Sequence, residues 1–408
     1  MRGLSFIFLV AFALGCGNAA PTTRSKEKPG AADGSDPHRE ANASAPSDPQ
    51  DKVIADCTEV IGRDPTDAGA FNDRGMAWAE KGNYDRAIQD FDESTRIDPQ
   101  LMVAFYNRGN AWHLKREYDK AIADYTAAIR LDPGCVSALY NRGMTWATKG
   151  EHDRAIQDFD EAVRLNPKGP QVFHNRGNAW FDKGEFDKAM ADYTKAVQLD
   201  PGYALAFASR GNAWAAKGEH GRAIADCTEA IRIDPKCALA FTNRGQVWAE
   251  TGAPDRAIVD LDEAIRLEPR DAKAFANRGR ARAEKGEYDR ALKDLDEAIR
   301  LDPKFATATT NRGWVWHLKE EYDKAIADHT QAVKLDPKYA LAFNNRGLAW
   351  EAKREYDRAV ADFSEAVRLD PKYALAFYNR GCVWVKKGDA VRAARDMAEA
   401  KRLSVPNR

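Results

Sequence analysis

The chain has 408 residues, 62 of them Lys or Arg and 63 Asp or Glu, for a net charge of −1. Opposite signs are interleaved at helical spacing, as at Asp92 and Arg96 or Asp160 and Arg164. No basic field exists to hold a phosphate backbone, so nucleic acid is not expected as a partner. Seven scattered histidines, no Gly-rich phosphate loop and no nucleophile elbow give catalysis, metal ions and cofactors no foothold, so the chain reads as a non-enzyme.

Residues 1–16, MRGLSFIFLVAFALGC, carry one Arg and then an apolar run over 4–14. That run is too short for a stable span and fits the core of a signal peptide. Its end, Leu14–Gly15–Cys16, resembles a bacterial lipobox, which implies a lipid anchor on Cys16. By the same resemblance Gly17 points to the outer membrane, with the protein facing the periplasm. The alternative is an ordinary secretory signal cut after Ala19 or Ala20, giving a soluble exported protein. Residues 17–48 hold no large apolar side chain and read as a disordered linker, a tether of about 30–35 Å r.m.s..

From residue 49 onward helical periodicity takes over. Asp48 and Pro49 supply an N-cap and a first-turn proline for a cap helix within 49–67, a lone half-unit. Then ten glycines recur every 34 residues: Gly75, Gly109, Gly143, Gly177, Gly211, Gly245, Gly279, Gly313, Gly347 and Gly381. Such a period marks a solenoid whose units bury their apolar faces only by stacking. The units are 68–101, 102–135, 136–169, 170–203, 204–237, 238–271, 272–305, 306–339, 340–373 and 374–407. In 340–373, Phe343, Gly347, Trp350, Tyr356, Ala359, Val360, Phe363, Ala366, Val367 and Leu369 follow helical spacing, broken near 353–355. Two helices of about 14 residues, each about 21 Å long, result. Asp370–Pro371 ends the second. Each mid-helix glycine costs about 1 kcal/mol against Ala, so ten of them imply close approach of the paired helix.

The order aromatic, Gly, aromatic, Ala, aromatic, Ala, Pro resembles the tetratricopeptide repeat over residues 68–407. The resemblance implies an all-α right-handed superhelix of ten repeats plus an N-terminal half-repeat. Ala394 and Lys401 replace large apolar residues of the inner units, which makes the last helix more polar, and no further solvating helix is expected. The cysteines form no disulfide framework: Cys57 and Cys227 hold packed positions, Cys135 and Cys237 lie in loops three repeats apart, and Cys382 stands alone.

Several ladders run through the units. Nine tryptophans, Trp78 to Trp384, sit in helical register and read as core. Trp314 falls instead where the family faces its groove. Every unit carries Arg before the glycine and Asp in its second helix, expected to form partly buried pairs. Asn107, Asn141, Asn175, Asn243, Asn277, Asn311, Asn345 and Asn379 stand two residues before the glycine. In the family this position lines the concave groove and binds the backbone of an extended peptide; a local structural role for the amides is the alternative. Asn212, Asn243 and Lys273 match three of five positions of the family's carboxylate clamp, while Ala208 and Asn277 lack the required basic side chains. Lys273, Arg278, Arg280 and Arg282 gather positive charge on one helix as a candidate anionic subsite; a solvated face is the alternative.

The reading is a non-catalytic scaffold at the cell envelope that binds proteins or peptides. Alternatives are an assembly factor using its convex face, or a substrate-recruiting subunit of an enzyme. Partner identity and oligomeric state are left open.

Overall fold

The computed structural model describes residues 48–404, which contain twenty-one α-helices and no strand. The expected signal peptide, Cys16 and the linker up to residue 47 lie outside these residues. The described helices fall into two units, divided between Asp200 and Pro201.

The first unit opens with α1 (Pro49–Arg63), where the Asp48 carboxylate accepts from the Gln50 amide at 3.0 Å. Four helix pairs follow: α2 (Ala68–Glu80) with α3 (Tyr84–Ile97), α4 (Met102–Leu114) with α5 (Tyr118–Leu131), α6 (Val136–Thr148) with α7 (His152–Leu165), and α8 (Pro170–Asp182) with α9 (Phe186–Leu199). The second unit holds six: α10 (Ala204–Ala216) with α11 (His220–Ile233), α12 (Ala238–Glu250) with α13 (Pro254–Leu267), and α14 (Ala272–Glu284) with α15 (Tyr288–Leu301). Then come α16 (Ala306–Leu318) with α17 (Tyr322–Leu335), α18 (Ala340–Ala352) with α19 (Tyr356–Leu369), and α20 (Ala374–Lys386) with α21 (Ala390–Ser404). Consecutive pairs stack as a tetratricopeptide solenoid.

Local chemistry sets the helix boundaries. After a second helix, the Asp of the Asp–Pro step folds back to accept from the amide two residues on, as Asp98 does from Gln100 at 2.8 Å and Asp302 from Lys304 at 3.0 Å. Between paired helices the chain takes a left-handed residue, glycine in most repeats (Gly150, φ 81°), but Arg116, Glu320 and Arg354 at φ 61–63° in three.

The mid-helix glycines mark where paired helices touch. A Cβ on Gly143 would sit 2.8 Å from Cε1 of Phe159, a ring with no exposed surface. Small residues elsewhere along the contact, such as Ala155 and Ala162, are also fully buried. The tryptophans are half-buried rather than core. Seven of them, Trp214 and Trp384 apart, stand at the edge of a packed cluster, and most carry a cation on one face, as Arg154 does 4.6 Å from the Trp146 ring. Their amphipathic rings therefore close the core against solvent.

The Arg–Asp pairs turn out to be three-way clamps. Arg142 donates from Nε and Nη2 to Asp158 at 2.9 and 2.6 Å within its own repeat, and from Nη1 to Thr126 of the preceding one at 3.0 Å. Arg176 likewise holds Asp192 at 2.8 and 2.6 Å, but its third partner is the Asp160 carboxylate at 2.7 Å. In the second unit Arg244, Arg278, Arg312, Arg346 and Arg380 bridge in the same way, reaching back to Thr228, Asp262, Asp296, Thr330 and Ser364. One side chain thus ties the two helices of its repeat to the repeat before. Burial lifts Asp124 and Asp192 above the usual carboxylate range, against the opposing pull of Arg108 and Arg176.

Candidate interaction face

The eight asparagines occupy equivalent places on the first helices, yet their bonding divides them. In the first unit every amide is used internally. Asn107 donates to Asn72 Oδ1 at 3.0 Å, Asn141 to the Tyr106 hydroxyl at 3.1 Å and Asn110 Oδ1 at 2.9 Å, and Asn175 to the Tyr140 hydroxyl at 2.6 Å. These bonds join consecutive first helices. In the second unit Asn243 donates to the Ala208 carbonyl at 3.0 Å and Asn379 to Asn344 Oδ1 at 2.9 Å.

Asn277, Asn311 and Asn345 differ. The half-buried carboxamides of Asn277 and Asn311 form no hydrogen bond among the described residues, and Asn345 only accepts, from Asn344 Nδ2 at 3.2 Å. The cause lies one repeat back, at the position that supplies the acceptor in the first unit. It is Thr242 for Asn277, with its hydroxyl turned to Asp271 at 2.9 Å. It is Ala276 for Asn311, whose carbonyl does not take up the amide as that of Ala208 does for Asn243, and Thr310 for Asn345, whose hydroxyl stays unpartnered among the described residues. Three consecutive repeats therefore present amide donors with no internal use.

The basic cluster on α14 is smaller than the sequence indicates. Arg278 is taken up by Asp294 and Asp262, and Arg282 donates to Asp294 at 2.8 Å. Arg280 makes a surface pair with Glu284 at 3.1 Å, whereas exposed Lys273 forms no ion pair among the described residues. Asn212, on α10, is half-buried with no hydrogen bond among the described residues, and with Asn243 engaged the partial clamp keeps only Asn212 and Lys273 unpaired among them.

Sequence reasoning overlooked the surroundings of Trp314. This indole is exposed and stacks on His317, with ring centroids 5.2 Å apart and planes 7° apart; His317 in turn meets Tyr322 edge-on at 5.3 Å. Buried without a partner among the described residues are Thr310 Oγ1, His317 Nδ1 and both ring nitrogens of His329. His329 fills the place under Gly313 that Phe, Tyr or Leu fills elsewhere, and burial pushes its pKa down to about 3. A histidine at an aromatic position was the visible signal. Its lack of partners was not visible. No group of three or more His, Cys, Asp or Glu among the described residues is placed to hold a metal ion.

Models described as the tetratricopeptide repeat match residues 68–101, 105–170, 170–203, 215–275, 242–304, 276–340 and 340–373. The chain belongs to the tetratricopeptide repeat family, a scaffold for binding proteins or peptides. No curated protein matches it. Among solved structures it is similar to the APC/C hetero-tetramer Cut9–Hcn1, at 15% identity and TM-score 0.56, over 88% of this chain and 92% of that one. It is also similar to a tetratricopeptide repeat protein from Parabacteroides merdae (19%, TM-score 0.49, 61% and 98%). A third is YrrB, a tetratricopeptide repeat protein with an unusual peptide-binding site (28%, TM-score 0.34, 45% and 95%). At these identities the first of them speaks to fold alone.

Proposed function

We propose that this protein is a non-catalytic scaffold that holds an extended polypeptide segment against the first helices α14, α16 and α18. The observation that carries this is the run of amide donors at Asn277, Asn311 and Asn345 that meet no acceptor among the described residues. A carboxamide offers a donor and an acceptor, the complement of a peptide unit. An extended chain advances about 3.3 Å per residue, and packed helices lie about 8–10 Å apart, so successive amides would meet the ligand about every third residue. Exposed Leu239, Leu341, Leu375 and Tyr378 on neighbouring first helices offer apolar contact along the same line.

The test compares two triple variants. Asn277/Asn311/Asn345→Ala should abolish capture of a bound polypeptide, with the melting temperature lowered only by loss of the Asn344–Asn345 bond. Asn107/Asn141/Asn243→Ala should lower the melting temperature, because those amides tie helices together. Equal binding by the first variant and the native chain would refute the assignment.

We place the protein at a bacterial cell envelope, as an outer-membrane lipoprotein anchored through Cys16, on the strength of the apolar leader and the Leu14–Gly15–Cys16 motif. Mass spectrometry of the mature N-terminus, with Cys16→Ser as control, decides between a diacylated cysteine and a free Ala or Pro terminus.

A further inference from the structure

Resting on that reading, we infer that α16 carries an aromatic subsite: the Trp314 indole receives an aromatic side chain of the bound polypeptide, and Lys273 with Arg280 on α14 receives an acidic side chain about three residues away. Four observations converge here. The nine tryptophans that follow the repeat register are half-buried, whereas Trp314 is exposed and lies outside that register. Most of those nine have a Lys or Arg on one face; no such cation lies over Trp314 among the described residues. Its indole is held in place by the parallel His317 ring, itself wedged against Tyr322, so one face is fixed while the side chain stays exposed. Finally, four of the seven buried polar side-chain atoms without a partner among the described residues belong to α16 and α17.

That concentration is unusual. Buried polar atoms are nearly always paired with protein or ordered water, and those of Thr310 and His329 are sealed below the surface, so the groups open to a peptide here are Trp314 and Asn311. On α16, Thr310 and Asn311 lie within one turn of Trp314, so a peptide stacked on the indole would pass the Asn311 carboxamide. The helix before it supplies the charge. Lys273 and Arg280 lie one turn to either side of Asn277, Arg280 in a surface pair with Glu284 that a ligand carboxylate can replace, while Arg278 and Arg282 are balanced by Asp262 and Asp294. Packed helices stand about 8–10 Å apart, and three extended residues span about 10 Å, which sets the separation of acid and aromatic in the ligand. An exposed indole, a fixed ring beneath it and a nearby cation favour a peptide bearing Asp or Glu three residues removed from Phe, Tyr or Trp, in either chain direction.

The experiment selects binders from a phage-displayed random dodecapeptide library on the full chain, then measures fluorescein-labelled copies of the enriched peptides by fluorescence polarisation. Native protein should enrich peptides with an acidic and an aromatic residue separated by two others. Trp314→Ala should weaken the best peptide at least tenfold and erase the aromatic preference, while Trp314→Phe keeps it. Lys273→Glu/Arg280→Glu should erase the acidic preference alone. Peptides enriched without an aromatic preference, or bound equally by Trp314→Ala, would overturn the subsite; loss of their binding in Asn277/Asn311/Asn345→Ala would then leave the amide reading standing. No enrichment on the native chain would overturn both. Circular dichroism of each variant separates lost contacts from lost fold.

Discussion

Replacing Asp158 by Ala removes both bonds that hold Arg142 within its repeat and leaves the guanidinium with the neutral Thr126 hydroxyl at 3.0 Å. Replacing Asp192 by Ala does the same to Arg176, but there the Asp160 carboxylate remains at 2.7 Å. Stranding a buried charge costs about 3–5 kcal/mol, and a hydrogen bond to a charged group contributes about 1.5–3 kcal/mol. The Arg142 side chain is one-fifth exposed and that of Asp158 8% exposed, which puts Asp158→Ala at the lower end, about 3 kcal/mol. With a charge partner retained, Asp192→Ala should cost about half as much, about 1.5 kcal/mol. Amide hydrogen exchange resolves the two locally, which suits a solenoid where unfolding need not be all-or-none. Protection in α6 and α7 should fall about a hundredfold for Asp158→Ala, and in α8 and α9 about tenfold for Asp192→Ala. Urea titrations, which leave ion pairs unscreened, should rank them the same way. Equal losses, or a greater loss for Asp192→Ala, would refute the view that the third partner carries charge compensation.

Gly143→Ala should destabilise by about 1–3 kcal/mol, because its Cβ would meet the buried Phe159 ring at 2.8 Å. Gly381→Ala should be neutral or stabilising by up to about 1 kcal/mol, since its nearest neighbour is the flexible Met397 side chain at 3.1 Å; thermal melts decide both. His329 has a folded pKa of about 3, below the ordinary imidazole value, so the unfolded chain binds its proton first. Its contribution is complete above about pH 6.5 and is lost as pH falls towards 3; His329→Phe should flatten stability against pH across that window in urea titrations. Around it stand His317 on α16, Arg346 on α18 and Asp328 on its own helix, and the two other basic groups add to the effect. Arg116→Gly, at φ 63°, should stabilise by about 1 kcal/mol by relieving a left-handed side chain, read as a rise in urea midpoint.

The fold was legible because the same signals recur ten times. Glycine at the helix contact and Asp–Pro at the helix exit each act through local sterics, and repetition removed ambiguity. The Arg–Asp pairing was legible in part. Its acceptor in the preceding repeat alternates between Asp, Thr and Ser, so no single residue type announced it. The tryptophans read as core, but a half-buried ring under a guanidinium has the same helical register as a buried one. The asparagine ladder is uniform in sequence and divided in structure, because an amide's availability depends on whether the preceding first helix brings an acceptor, side chain or carbonyl, within reach: Ala208 offers its carbonyl to Asn243, while Ala276 offers none to Asn311. The site around Trp314 was legible only as a break in pattern; the empty valences of Thr310 and His317 depend on where neighbouring helices place their own polar atoms.

The Arg clamp also bears on how such an array changes length. Each guanidinium finds one partner sixteen residues ahead and another sixteen behind, whichever copy supplies them. Excising or duplicating any whole 34-residue module inside the array therefore re-forms equivalent bonds at the new seam. A cut of any other size would face an arginine with the wrong turn of helix, so recombination can shorten or lengthen this protein only in whole steps.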